Sequence, residues 1–208
     1  AGAAPVDLAL THALFADVAL AVIRASGVGE VGSTDRIAHQ SNAHAMARVL
    51  AGEEDMAITP RPRRTPEALA FKSLTRAPLV FIAPRETPDW IPPTPESPSA
   101  EQWREVPMIL SEAGLSRSHA DTWFRALGVT PRIYAQVAGH EAIVSMVGLG
   151  FGIGVVPRIV LDNSPLRERV RVLPVKPELP HYDVGLCVLE RRLRSPLIRA
   201  LWDEVVER

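Results

Sequence analysis

Apolar positions along this chain fall into two alternating rhythms. Short apolar runs predict strands at Val6–Thr11 (VDLALT), Met56–Thr59, Pro78–Ala83 (PLVFIA), Pro107–Leu110 (PMIL), Arg132–Val137, Phe151–Val156, Val170–Val175 and Asp183–Leu189. Arg36–Gln40 and Ala70–Leu74 are weaker segments of the same kind. Between these runs, apolar residues recur at helical spacing. Ala13–Ala25 carries Leu14, Val18, Ala21, Val22 and Ala25; Ala43–Leu50 carries Met46, Val49 and Leu50. Ser116–Leu127 carries Trp123, Phe124 and Leu127; Glu141–Leu149 follows Ile143, Met146 and Val147; Ser195–Val206 closes the chain. Ala100–Arg104 and Arg158–Asn163 read as short helical turns.

Stop and start signals sharpen these bounds. Ser41 or Asn42, Ser116 and Ser195 are placed as helix caps, with Pro196 at a first helical position. Gly52, Gly128 and Gly150 sit where left-handed terminal residues are wanted. Val28–Asp35 reads as a loop, and Pro60–Pro66 as a basic, proline-rich connection. Pro84–Pro98 holds six prolines, which excludes regular helix or central strand and predicts a long surface loop. Strands alternating with helices predict α/β layering with largely parallel sheets.

Composition narrows the function. The chain has 208 residues, 23 basic and 24 acidic side chains, and a net charge of −1. Proteins that grip nucleic acid carry a basic excess, because counterion release from phosphates drives that binding. This chain is not expected to hold DNA alone. The one cysteine, Cys187, excludes an internal disulfide and reads as a buried strand thiol. No apolar run approaches the ~20 residues of a membrane span. The start, Ala1–Pro5, lacks the basic and apolar regions of a signal peptide, so a cytoplasmic fragment of a longer protein is expected.

Most enzyme chemistries find no motif. His12, His39, His44, His119, His140 and His181 form no HxxxH or HExxH pattern, so no metal is expected. No Walker loop and no Gly-x-Ser-x-Gly elbow occurs, and no cofactor is expected. Gly148, Gly150, Gly152 and Gly154 lie between a helix and the following strand, the reverse of a dinucleotide fingerprint. They read as a tight turn with close helix–strand approach. Glu53, Glu54 and Asp55 read as a solvated turn.

Two strand-to-helix turns carry the functional reading. Ser111–Arg117 (SEAGLSR) and Gly139–Glu141 each open a helix directly after a strand. Helix starts offer free N–H groups and a positive dipole end, which favour anions. Arg117 adds a fork suited to a carboxylate. Thr11 with His12, and Thr59, stand at the ends of two further strands.

Four segments, in order, resemble the ligand-sensing domain of LysR-type transcriptional regulators. ARVLAGEEDMAI (Ala47–Ile58) is similar to the family's L-x-x-G-x-x-D-[LM]-A-I stretch. FKSLTRAPLVFIAP (Phe71–Pro84) resembles its crossing segment, and VSMVGLGFGIGVVP (Val144–Pro157) its V-x-x-G-x-G-[IV]-x-x-[LV]-P stretch. RRLRSPLIRALW (Arg191–Trp202) matches its ending. The resemblance covers residues 43–208. Before that, IRASGVGEVGSTDR stands where the family carries F-x-x-x-[YH]-P-x-[VI]. YAQVAGHEAIVSMVGLGFGIGVVPRIVLDNSP most resembles the activators of ketol-acid reductoisomerase genes in isoleucine–valine synthesis, which sense acetolactate and acetohydroxybutyrate.

The resemblance implies a type II periplasmic-binding-protein-like fold. Its two Rossmann-like lobes, 1–77 with 181–208 and 78–180, are joined by a two-segment hinge. It implies no catalysis, and a small anionic effector held between the lobes whose binding shifts their angle. Carried over residue by residue, the effector contacts are Thr11, His12, Thr59, Ser111, Gly114, Arg117, Gly139, His140 and Glu141. A homodimer is implied, with a tetramer open to the full-length protein. DNA is reached only through an N-terminal winged helix that this chain lacks. The alternative is a periplasmic solute-binding protein for a small organic acid. An enzyme on a keto or hydroxy acid needs a base and an electrophile that converge, and the residues offer no such pair.

Overall fold

The computed structural model describes residues 7–10, 36–39, 42–62, 64–86, 89 and 100–204. The predicted helix Ala13–Ala25, the loop Val28–Asp35 and most of the proline-rich segment lie outside the described residues. The chain divides into two units, Ala1–Arg76 with Asp183–Arg208 and Ala77–Tyr182, and passes between them twice.

In the first unit the strand order is β2 (Arg36–His39), β1 (Asp7–Leu10), β3 (Met56–Pro60), β9 (His181–Leu189) and the opening part of β4 (Leu69–Pro84). β1 is parallel to β2 and β3, whereas β9 runs antiparallel to β3. Every residue of β3 is buried, which explains its continuous apolar run. Helix α1 (Asn42–Ala51) lays Ala45 and Val49 onto Ala57, Leu69, Cys187 and Leu189. One helical turn separates those two positions. Met46 packs against the same cluster, so of the predicted face Met46 and Val49 are core positions, while Leu50 is exposed and Ala45 takes its place.

Of the acids after α1, Glu53 is exposed as a solvated turn requires, but Glu54 is not. Glu54 is buried and accepts two bonds from Arg48, at 3.0 and 2.8 Å. Asp55 pairs with Arg192, and Glu53 meets Arg48 at 3.0 Å. A buried carboxylate is tolerated here because a guanidinium compensates its desolvation.

The second unit carries the order β8 (Val170–Leu173), β4, β7 (Ile153–Pro157), β5 (Pro107–Ser111) and β6 (Arg132–Val137). β5 is parallel to β6 and β7, while β4 is antiparallel to β7 and β8. Both sheets are thus mixed rather than largely parallel. The two separate segments expected at Ala70–Leu74 and Pro78–Ala83 form one sixteen-residue strand, β4. Pro78 does not break it, since proline removes one donor and fits extended backbone. Helices α2 (Ala100–Glu105) and α3 (Gly114–Ala126) place Trp103, Trp123 and Phe124 around Phe81 of β4. The ring centroids lie 4.8–6.0 Å from that of Phe81, in tilted and edge-on geometries that suit aromatic quadrupoles. Trp123 Nε1 donates to the Pro177 carbonyl at 2.6 Å. Helix α4 (His140–Gly148) buries Ile143, Val144 and Val147. Short helix α5 (Arg158–Asp162) follows β7 directly, and helix α6 (Pro196–Glu204) closes the first unit.

Burial pushes the Cys187 thiol up from its ordinary 9.0 to about 12, with a hydrogen bond from the Ala57 backbone partly opposing. The thiolate is the reactive form, so native Cys187 is expected to resist an exposed-thiol reagent that labels it fully after unfolding. The sign of the pH effect follows from linkage. The unfolded chain ionises first, so this contribution is complete below pH 9.0 and is lost as pH rises toward about 12. Urea unfolding of the wild type and Cys187→Ala should therefore show their stability difference moving against the wild type between about pH 7 and about pH 10.

Candidate functional site

β5 and β6 are parallel neighbours with Ser111 opposite Val137, and the Glu112 amide bonds the Val137 carbonyl at 3.1 Å one step further on. Adjacent strands are ~4.8 Å apart, so the helices that follow them start side by side at the carboxyl edge of the sheet. Two glycines make the sharp reversals. Gly114, the first residue of α3, has φ 90°, and Gly139, the N-cap of α4, has φ 88°. A side chain is strained at both values.

Neither helix start carries a side-chain cap. The expectation that Ser116 caps α3 is corrected. The helix begins two residues earlier, with Ala113 as its N-cap. Ser116 Oγ instead shares a 2.8 Å hydrogen bond with His140 Nε2, and both side chains are buried. Two adjacent helix starts whose N-cap residues offer no side-chain cap form an environment that favours an anion.

Arg117 is anchored more firmly than a solvated surface arginine. Nε donates to Asp121 at 2.9 Å, and Nη1 donates to the Ser111 carbonyl at 3.2 Å and to Gln136 Oε1 at 2.6 Å. Its side chain is only 19% exposed. The guanidinium therefore spans the ends of β5 and β6 in one orientation. Gln136 is not among the residues that the sequence pattern singles out. Its signal is a polar residue at the carboxyl end of a strand, next to a strand-to-helix turn. Glu141 is exposed at the start of α4.

The second unit thus brings together Ser111, Gly114, Arg117, Gly139, His140 and Glu141. Thr59 belongs to the first unit, on β3, where it is buried and its hydroxyl donates to the Pro60 carbonyl at 3.4 Å. Thr11 and His12 lie outside the described residues. Among the described residues no group of three or more His, Cys, Asp and Glu is placed to hold a metal ion. No helix among them is long and apolar enough to cross a membrane.

Two α/β units joined by two chain crossings, with two helix starts side by side at the carboxyl edge of one sheet, have the fold of a ligand-binding domain of the periplasmic-binding-protein type. The family within that class is equally plain: residues 36–208 match the LysR substrate binding domain, and the chain belongs to that family. The match starts earlier than the sequence resemblance, at β2. The chain is 41% identical over 166 residues to the HTH-type transcriptional regulator IlvY of Escherichia coli, covering 77% of this chain and 54% of that protein. It therefore spans about half the length of the curated relatives it matches. Two solved structures share the fold at 19–20% identity. They are the Synechocystis CcmR regulatory domain in complex with 2-PG (TM-score 0.80) and the effector binding domain of QuiR in complex with shikimate (TM-score 0.78). Each covers 98% of this chain and is itself covered to 96%.

Proposed function

We propose that this chain senses a small carboxylate of the acetolactate and acetohydroxybutyrate kind, and that its occupancy controls transcription of branched-chain amino-acid genes. The observation that carries this reading is the pair of uncapped helix starts joined through Ser116 and His140. Such starts favour a carboxylate over a neutral or cationic ligand. Arg117 Nε and Nη1 are already engaged, so a bound carboxylate would be met through Nη2, with Gln136 and Asp121 holding the guanidinium still. The similarity to transcriptional regulators named IlvY supports a regulatory role, and the complexes of CcmR and QuiR support ligand binding on this fold.

In this reading the protein does no chemistry on its ligand. It works as a homodimer, in the cytoplasm, and meets DNA through a segment outside this chain. An effector shifts such a system only through unequal affinity for its two states. Calorimetric titration of the chain with acetolactate is the test. The wild type is expected to bind, and Arg117→Ala to bind at least about tenfold more weakly, as for loss of one charge-assisted contact. Equal binding by both proteins removes Arg117 from the site. Absence of binding by the wild type to acetolactate, and to acetohydroxybutyrate titrated in the same way, overturns the ligand assignment.

A further inference from the structure

The Ser116–His140 hydrogen bond has a geometry that a cap or a ligand contact does not need. Ser116 is the third residue of α3, where a hydroxyl ordinarily serves its own helix, and it turns to the neighbouring helix instead. His140 is the first residue of α4. The two residues are 24 positions apart in sequence and meet at 2.8 Å in a buried setting. The N-cap residues of the two helices, Ala113 and Gly139, supply no side-chain cap. The Ser116–His140 bond joins the two helices at an edge where the Glu112–Val137 backbone bond and the Arg117–Gln136 bond also tie the neighbouring segments together.

We propose that Ser116 and His140 are a positioning pair. Their bond sets the separation of the two helix starts, and with it the size of carboxylate ligand that both starts hold at once. This rests on the effector reading above and deepens it. His140 thereby acts through the helix starts and not by touching the ligand. A shared strap predicts particular energetics. Removing either partner releases the same constraint, so the second removal adds little. Two independent ligand contacts would each subtract their own share.

The experiment is a double-mutant cycle on the 208-residue chain, with Ser116→Ala, His140→Ala and the double variant titrated with acetolactate and with acetohydroxybutyrate. Each single variant is expected to lose about tenfold in affinity, and the double variant no more than about twofold beyond the weaker single. Discrimination between the two acids, which differ by one methylene, is expected to collapse in all three variants. A general loss of folding would lower both affinities without altering their ratio. Ser116→Thr, which keeps the hydroxyl, is expected to restore wild-type affinity and discrimination. In ligand-free chain, Ser116→Ala is expected to shift the ring nitrogen resonances of His140. Multiplicative losses, an unchanged ratio, an unshifted His140 ring or no rescue by threonine each overturn the positioning role while the effector reading stands. Failure of the wild type to bind either acid removes both.

Discussion

Phe81→Ala is expected to destabilise the chain by about 3–5 kcal/mol, the usual cost of emptying a buried phenylalanine site. Phe81 is fully buried at the middle of the cluster formed with Trp103, Trp123 and Phe124. Those three rings come from α2 and α3 and touch one another as well. Three large rings cannot collapse into the vacated volume without leaving their rotamers, so the cavity persists. The lost volume lies under α3, the helix whose start presents Gly114 and Arg117. Equilibrium unfolding in urea, followed by tryptophan fluorescence, gives the number. A loss below about 1 kcal/mol would show that the cluster repacks and does not anchor α3.

Gly154→Val is expected to be nearly as damaging and more specific to the site. A Cβ at Gly154 would lie 2.4 Å from Ile143 Cγ2 and 3.0 Å from Val147 Cγ2. Both contacts are β-branched methyls on the buried face of α4, which swing aside poorly. Forced overpacking typically costs about 1–3 kcal/mol. The strain falls on the packing of α4 against β7, so the helix start at Gly139–Glu141 shifts relative to that of α3. Thermal unfolding should record the stability loss, and calorimetry a weakened effector response in the protein that remains folded. Unchanged ligand affinity in folded Gly154→Val would mean that the placement of α4 does not govern binding.

What the sequence made legible was local. Glycine-rich Gly148–Gly154 announced close helix–strand approach, and the Gly154 contacts are that approach in atoms. The two strand-to-helix turns were recognisable because glycines follow apolar strands there, and both glycines take the positive φ such turns demand. What escaped was non-local. No period in residues 42–51 distinguishes Leu50 from Ala45 as the buried position, because the choice depends on where β3 and β9 lie. Glu54 looks solvated until Arg48, one and a half turns back, folds over it. Ser116 reads as a cap by every local rule, yet its hydroxyl is taken by a histidine 24 residues away. Antiparallel β4 and β9 likewise follow from chain crossings that alternating patterns do not encode.

In the proposed reading the effector sits on the paired helix starts of the second unit. Backbone amide shifts recorded while acetolactate is titrated into the chain address it directly. The largest, saturable shifts are expected at Gly114–Arg117 and Gly139–Ala142, the first turns of the two helices. Saturable binding with those amides unmoved, and the shifts concentrated elsewhere, would contradict it.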